Sequence, residues 1–487
     1  MLHPAPARTL TGQLADRFAE RIRDRLLAPG TRLPSVRQCA AQHQVSPSTV
    51  VAAYDQLLAQ GLVDARRNRG FYVRDWGKNP PSVQAGQARA AIYSGASSDP
   101  AEARRLNAPI SAATLMRGMF HGAGHKLQPG MGVLPPDWMA TDFMASALRR
   151  TTAGNGLRDA TVRYGEPQGD AHLRRVLSQR LASQGIGAAP AQILTTIGAT
   201  QALDIVSRTL LKPGDTVMVE DPGWSVEFAR LAALGMRMLP VPRGADGPDL
   251  AVMARYCEAH AGTPDAPRLF VSVSVLHNPT GHCLSPASAH RVLQLAQRHD
   301  FHIVEDDTYH HLAPEHATRL AQLDGLQRTI YVSGFAKILA PAWRVGFLAA
   351  PPGLIEPLLD TKLLATLTTP SLLERALAQC IEQGQLRRHA ERVRTRLDAA
   401  RGRSVRLAQA AGCTFVSEPA GLFGWVDTGV DTDQLALRLL DEGYMIAPGA
   451  LFHANRAPSQ RMRINFATTQ EAAFWTAFER ARDALTA

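Results

Sequence analysis

The stretch Tyr331-Val-Ser-Gly-Phe-Ala-Lys337, followed by Pro341-Ala-Trp-Arg344-Val-Gly346, decides the fold of this chain. Apolar residues that give way to small ones predict a strand and a tight turn, and the turn presents a single lysine. A lysine in apolar surroundings is desolvated, which lowers its pKa and makes its amine reactive toward carbonyl groups. Ser333 and Arg344 lie nearby and suit a phosphate group.

A carbonyl-reactive amine beside a phosphate site predicts a pyridoxal phosphate pocket, in which Lys337 forms the Schiff base. From about residue 115, short apolar strands alternate with amphipathic helices, which predicts a mainly parallel sheet covered by helices. The predicted strands are Gln192–Thr196, Thr216–Glu220, Leu269–Val275, His302–Glu305 and Ile330–Val332. Ligands of such sheets bind at the carboxyl ends of the strands.

Polar and aromatic residues follow these strand ends in an order that suits the cofactor. The backbone N–H groups of Ala199 and Thr200, after Gly198, could hold a phosphate at the start of a helix. Trp224 offers a flat face for the pyridine ring, although a buried core tryptophan has the same pattern. Asn278 can donate to the phenolate oxygen.

Two residues near His302–Glu305 complete the predicted ring contacts. Asp306 can pair with the protonated pyridine nitrogen, which maintains the electron sink, although an acid at a strand end is often only a helix cap. Tyr309 can donate to the ring oxygen. Lys337, Asp306 and Tyr309 are therefore the predicted catalytic residues.

The ordered motifs resemble the fold-type I pyridoxal phosphate enzymes, the aspartate aminotransferase-like group, over about 370 residues. Tyr164-Gly-Glu-Pro-Gln-Gly169 is similar to a family segment, and the resemblance implies that Tyr164 reaches the phosphate of the partner subunit. Arg461-Met-Arg463 is similar to the C-terminal segment whose arginine clamps a substrate carboxylate, which implies that role for Arg463. The implied fold is a large part at about 150–350 and a smaller α+β part at about 115–149 and 351–487.

The first 75 residues carry a different pattern. They contain 11 arginines, no lysine and 6 acidic residues, so they hold +5 of the formal net charge of +10. Basic segments of this kind suit nucleic-acid phosphates, although an arginine-rich composition runs through the whole chain. The periodicity predicts a helix over 10–27, a short helix after Ser35, and a third helix that Ser46 caps and Pro47 begins.

Two short strands around residues 66–70 complete the order helix, helix, turn, helix and basic hairpin, which is typical of a winged helix-turn-helix. The segment LPSVRQCAAQHQVSPSTVVAAYDQLLAQGLVDARRNRGFYV (33–73) resembles a GntR-type winged helix. The candidate DNA-binding residues are Arg37, Ser46, Ser48, Thr49, Arg66, Arg67, Arg69 and Gly70. Pro47 stands where the family often has arginine, and a small helical domain used only for dimer contacts would show a similar pattern.

Residues 76–114 are rich in proline, glycine, alanine, serine and glutamine, which predicts a flexible linker between domains at 1–75 and 115–487. The five cysteines have no C-x-x-C spacing, and His121 and His125 lack an acidic partner, so we predict no metal site. The sequence has no signal peptide pattern and no apolar stretch of 18 residues, which favours a cytoplasmic protein without membrane contact.

A GntR winged helix, a linker and an aminotransferase-like domain together resemble the MocR (PdxR-like) regulators. The resemblance implies a homodimeric transcription regulator that binds operator DNA and responds to pyridoxal phosphate or a small amino compound. An active aminotransferase with an accessory N-terminal domain is the alternative, and we expect any such activity to be residual or limited to a half-reaction. A pyridoxal phosphate-homeostasis binder without DNA function is a third reading, which the basic hairpin disfavours.

Overall fold

The computed structural model describes residues 10–23, 27, 29–66, 70–74, 128–139, 142–313, 316–339 and 341–486. The chain divides into two compact units, Met1–Ala123 and Gly124–Ala487. The predicted linker at 76–114, the histidines His121 and His125, and the arginines Arg67 and Arg69 lie outside the described residues. None of the described helices is long and apolar enough to cross a membrane.

The N-terminal unit contains three helices and one hairpin. The helices are α1 (Leu10–Arg23), α2 (Val36–His43) and α3 (Pro47–Ala59), and the antiparallel strands are β1 (Val63–Arg66) and β2 (Gly70–Val73). Leu14, Phe18 and Ile22 of α1 pack with Tyr54 and Leu57 of α3 in one core. The predicted winged helix-turn-helix order is confirmed, although α1 ends before the predicted residue 27.

Local hydrogen bonds explain where α2 and α3 begin. Ser35 and Gln38 form a reciprocal capping box at the start of α2. The Ser46 hydroxyl accepts a hydrogen bond from the Thr49 N–H, and Pro47 occupies the first position of α3, where its missing N–H costs nothing. The start of α3 is therefore the one predicted from the sequence.

The second unit is built on a seven-stranded sheet in the order β3-β9-β8-β7-β6-β4-β5. Its strands are β3 (Ile193–Thr196), β4 (Thr216–Asp221), β5 (Arg237–Pro242), β6 (Leu269–Ser272), β7 (His302–Asp306), β8 (Thr329–Gly334) and β9 (Gly346–Ala349). β9 alone runs opposite to the other six strands, so the predicted mainly parallel sheet is confirmed. The predicted strand Leu269–Val275 is three residues too long, because the Val273 N–H leaves the ladder and donates to Glu220.

Helices cover both faces of this sheet. Val217 and Val219 of β4 pack in one core cluster, whereas Met218 between them packs in another, as strand alternation requires. The helices up to β9 are α4 (Asp142–Thr152), α5 (Gly156–Thr161), α6 (Ala171–Ser183), α7 (Ala199–Leu210), α8 (Ser225–Ala233), α9 (Leu250–Ala259), α10 (Pro286–His299) and α11 (Leu320–Asp324).

A smaller antiparallel sheet with the order β10-β11-β13-β12 follows in the chain. Its strands are β10 (Thr414–Phe415), β11 (Phe423–Asp427), β12 (Ala447–Pro448) and β13 (Arg461–Asn465), and the remaining helices are α12 (Ile355–Thr366), α13 (Ser371–Glu382), α14 (Gln385–Ala410), α15 (Thr432–Asp441) and α16 (Ala472–Thr486). This sheet matters for the site because β13 carries Arg463.

Candidate functional site

The carboxyl ends of the parallel strands bring most of the predicted residues to one edge of the large sheet. Asp306 is the last residue of β7, and Lys337 lies three residues after β8. The Lys337 amine donates a 2.8 Å hydrogen bond to the Gly132 carbonyl. Burial, and then the positive charge of Arg463, lower the pKa of Lys337 to about 8, although Asp306 opposes the shift.

Asp306 is buried at the base of this edge. Its carboxylate accepts hydrogen bonds from the N–H and the hydroxyl of Thr308. Burial, with a further contribution from the carboxylate of Glu227, raises the pKa of Asp306 to about 6. Asp306, Trp224 and Glu227 line one small pocket, so an acidic side chain and an aromatic face border the same space.

Arg463 joins the small sheet to this edge. Its Nη1 donates a 3.0 Å hydrogen bond to Asn278 Oδ1, and its Nη2 donates to the Gly130 carbonyl. The guanidinium lies 4.3 Å from the ring centroid of Phe423, which also contacts Tyr309 edge-on at 5.5 Å. The Arg463 Nε is buried and has no hydrogen-bond partner among the described residues, so this guanidinium can still bind an acceptor.

The residues predicted to hold the phosphate lie at the start of α7. Gly198 precedes the helix with φ +79° and without a side-chain cap, which leaves the first N–H groups, those of Ala199 and Thr200, for a ligand. Arg344 donates a 3.1 Å hydrogen bond to the Ile197 carbonyl. Its Nη2 lies 2.6 Å from where a Cβ on Gly198 would be, so a side chain at this positive-φ position would displace the Arg344 guanidinium.

The structure corrects the prediction for Ser333. Its hydroxyl donates to the Asp307 carbonyl at 2.9 Å and lies 3.0 Å from His310 Nδ1. Neighbouring residues of a strand point to opposite faces of the sheet. It is therefore the next residue, Gly334, whose Cβ position lies 3.4 Å from the backbone nitrogen of Ala199. Ser333 is therefore removed from the candidate phosphate ligands.

Tyr164 also lies apart from this cluster, because 84% of its side chain is exposed. Within one chain it cannot line the buried pocket. The contact of Tyr164 with a partner subunit therefore stays a prediction.

Three residues that line the site were not predicted: Gly130, Gly132 and Glu227. A Cβ on Gly132 would lie 3.6 Å from the Lys337 amine and 3.9 Å from the Arg463 guanidinium. The only sequence signal was the glycine pair in the segment Pro129-Gly-Met-Gly132, and Glu227 had none beyond its position three residues after Trp224.

In the N-terminal unit, most of the predicted DNA-binding groups that the structure describes lie at the surface. Arg37, Ser46, Ser48 and Arg66 are exposed, and Thr49 is half-buried. The hydroxyls of Ser48 and Thr49 both lie within 2.8 Å of the Ser46 hydroxyl, so they form one polar cluster at the start of α3.

The hairpin adds a residue that sequence reasoning missed. Arg66 lies over the Tyr72 ring at 4.4 Å. Arg32, whose backbone bridges to Tyr72, has its Nε 3.3 Å from the Cβ position of Gly70, which has φ +98°. Arg32 therefore belongs with the basic hairpin.

Comparisons with known proteins agree with this geometry. Residues 10–73 match the model of the family "Bacterial regulatory proteins, gntR family", and residues 139–480 match "Aminotransferase class I and II". The probable rhizopine catabolism regulatory protein MocR of Rhizobium meliloti is 30% identical over 386 residues, which cover 77% of this chain and 73% of that protein. This chain belongs to the MocR-type regulators.

Two further relatives support the fused architecture and the cofactor. The uncharacterized HTH-type transcriptional regulator YisV of Bacillus subtilis is 27% identical over 479 residues, covering 95% of this chain and 94% of that protein. The crystal structure of LysN, the α-aminoadipate aminotransferase of Thermus thermophilus, complexed with N-(5'-phosphopyridoxyl)-L-leucine, has a TM-score of 0.69 and 26% identity, and the match covers 76% of this chain and 95% of LysN. The MocR-type regulator described here is therefore a DNA-binding transcription regulator with an aminotransferase-like domain for pyridoxal phosphate.

Proposed function

We propose that this regulator senses a small amino compound with a carboxylate, at a pyridoxal phosphate site built on Lys337, and that the bound compound changes the affinity of the protein for operator DNA. The observation that carries the proposal is the joint presence of an amine with a lowered pKa, Lys337, and a guanidinium whose Nε is unpaired among the described residues, Arg463, both within 3.9 Å of the Cβ position of Gly132. Pyridoxal phosphate itself is the other effector that this site could report.

The residues at the strand ends fit the cofactor. Ala199, Thr200 and Arg344 would hold the phosphate, and Trp224 would stack on the ring. Asp306 would pair with the pyridine nitrogen, while Asn278 and Tyr309 would donate to the phenolic oxygen. Pyridoxal phosphate, when bound, supplies an aldehyde that reacts with amines and a ring that withdraws electrons.

The chain's own groups then have distinct tasks. The low pKa of Lys337 keeps a useful fraction of its amine neutral and nucleophilic near pH 7 to 8. The Asp306 carboxylate would hold a proton on the pyridine nitrogen of a bound cofactor, because burial makes an unpaired charge at Asp306 costly. Both tasks belong to a working aminotransferase as well as to a sensor.

The effector carboxylate is assigned to Arg463. The guanidinium now donates to the Gly130 carbonyl and to Asn278, and its Nε has no partner in the described part of the chain. A carboxylate can accept two parallel N–H bonds from this group, and it would compete with the Gly130 carbonyl for one of them. Effector binding would thus release the segment around Gly130 and Gly132. The effector-free and effector-bound states would then differ in their contacts, as a switch requires.

We further propose a homodimer formed by the aminotransferase units. Exposed apolar side chains lie near Tyr164 in the chain and at the end of α12: Leu157, Val162, Leu364 and Leu367. The Cβ position of Gly165 lies 3.0 Å from the Thr369 carbonyl, so the Tyr164 segment contacts the residues that follow α12. A second copy would cover these groups and place its Tyr164 near the phosphate. Sedimentation of Leu364→Glu against Leu323→Glu, an exposed leucine on α11, tests this face.

Titration of the cofactor-loaded protein with amino acids and with matched compounds that lack the carboxylate tests the sensor. Changes in visible absorbance report binding at Lys337, and DNA affinity is measured in parallel. The proposal predicts that both change together for carboxylate compounds only.

An active aminotransferase remains the second candidate, because Lys337, Asp306, Tyr309 and Arg463 all converge on one site. Steady turnover of an amino donor and a 2-oxo acid would favour it. Conversion of one equivalent without turnover would favour the sensor.

A further inference from the structure

Helix α14 (Gln385–Ala410) carries more positive charge than any role in the pocket explains. Its 26 residues include eight arginines, two acidic residues and no lysine, a formal charge of +6. Residues 1–75 carry +5, and the whole chain carries +10. The rest of the chain has a formal net charge of −1. The net positive charge therefore comes from residues 1–75 and from this helix.

One side of α14 is used by the core. Its buried residues are Leu386, His389, Ala390, Val393, Leu397, Ala400, Ser404 and Ala408. Arg388, Arg392, Arg403 and Arg406 are all exposed. Their spacings of 4, 11 and 3 residues place them within an arc of about 60° along the helix, since each residue turns the helix by about 100°. They form a stripe about 27 Å long at 1.5 Å per residue.

Two other arginines of the helix already pair with acidic side chains. Arg396 pairs with Asp137 and lies over the Trp138 ring at 4.5 Å, and Arg401 pairs with Asp398. Among the described residues, no ion pair involves the four stripe arginines. The side chain of Arg388 donates a hydrogen bond to the Gln383 carbonyl. Four arginines without acidic partners, fixed along one side of a rigid helix, are best suited to bind a polyanion.

We propose that the stripe of Arg388, Arg392, Arg403 and Arg406 binds the phosphate backbone of DNA, as a sequence-independent contact in addition to the contacts of the winged helix. A span of about 27 Å matches about eight phosphates of one strand at 3.4 Å each. An anionic membrane is the weaker partner, because interfacial helices also need apolar side chains that insert among the lipids. The residues between the arginines on the exposed side are Thr395, Ala399 and Gly402, and the apolar side of α14 is buried.

The experiment uses the full chain loaded with cofactor and a 60-base-pair duplex of mixed sequence. The variant R392Q/R403Q/R406Q is compared with R255Q/R291Q/R298Q, which removes three exposed arginines of α9 and α10. Each lost phosphate contact lowers the slope of log K against log salt by about 0.9. We expect the α14 variant to lose about 2.7 in slope and the control to keep the wild-type slope.

Two further variants separate charge from folding. R392K/R403K/R406K keeps the charge and is expected to keep most of the slope, and R403Q alone is expected to lose about 0.9. Equal slopes for the α14 and control triples would overturn the proposal. Loss of binding to phosphatidylserine vesicles without a change in the DNA slope would overturn it too, in favour of a membrane. Selective operator binding by the winged helix is measured separately and does not depend on either result.

Discussion

The Arg463 guanidinium donates a 3.0 Å hydrogen bond to Asn278 Oδ1 and so ties the small sheet to the loop that follows β6. The two residues are 185 positions apart in the chain. We propose that Arg463 binds the effector carboxylate and Asn278 the cofactor ring, so this bond would let a change at the effector alter the packing of both sheets.

Arg463→Lys keeps the charge and removes the forked geometry that a carboxylate needs. We expect the affinity for carboxylate amino compounds to fall at least tenfold, since a charged hydrogen bond is worth about 1.5–3 kcal/mol. Absorbance titration measures it, with Arg461→Lys, the exposed arginine at the start of β13, as the control. Unchanged amino-compound affinity would remove Arg463 from the clamp.

Lys337→Ala should abolish covalent attachment of the cofactor and leave DNA binding largely intact, because the two units fold around separate cores. In the wild type, the rate of attachment should rise as the pH passes through about 8, since the neutral amine is the nucleophile. Stopped-flow absorbance from pH 6.5 to 9.5 measures the midpoint. A rate that keeps rising toward pH 10.5 would contradict a desolvated amine.

Asp306→Asn should stabilise the cofactor-free protein at neutral pH. The pKa of this carboxyl is raised to about 6 in the folded state, so its ionised form costs about 3 kcal/mol above that pH, at 1.36 kcal/mol per pKa unit. The gain should be nearly complete above pH 6 and small near pH 4, where the folded carboxyl is protonated and the unfolded one is only about half ionised. Thermal unfolding at pH 7.5 and at pH 4 measures it, and cofactor affinity should fall in the same variant. Equal melting temperatures of the wild type and Asp306→Asn at pH 7.5 would contradict a destabilising buried charge at Asp306.

Gly198→Ala should weaken cofactor binding, because its Cβ would meet the Arg344 guanidinium beside the phosphate cradle. Gly214→Ala is the matched control, since Gly214 has φ +94° and open space around its Cβ position. Both variants should lose about 1–2 kcal/mol of stability from the left-handed backbone. Only Gly198→Ala should lose cofactor affinity in a fluorescence titration, and equal losses would place the phosphate elsewhere.

Arg37→Ala should lower DNA affinity and reduce the salt slope by about 1 on any sequence, as expected for a phosphate contact. Arg74→Ala serves as the control because Arg74 already pairs with Asp64 at 2.7 Å. A loss confined to one DNA sequence would instead assign Arg37 to a base edge.

Much of the site follows from local sequence, because a parallel sheet brings its strand ends together whatever lies between them. Lys337, Asp306, Asn278 and the Gly198 turn converge for that reason. The direction of the Ser333 side chain could not be predicted, since a shift of one residue along a strand reverses the side-chain direction. Gly132 could not be placed either, because its neighbours Lys337 and Arg463 are more than 200 residues away.

The central claim is that the effector at Lys337 and Arg463 controls DNA binding. The most direct test is a titration, at fixed salt, of the cofactor-loaded protein against the intergenic DNA upstream of its own coding sequence, with and without a saturating amino acid that alters the cofactor spectrum. The account predicts at least ~10³-fold preference over random DNA and an effector shift of about 5- to 150-fold that Arg463→Lys loses. Selective DNA binding that no spectrally active amino acid changes would contradict it.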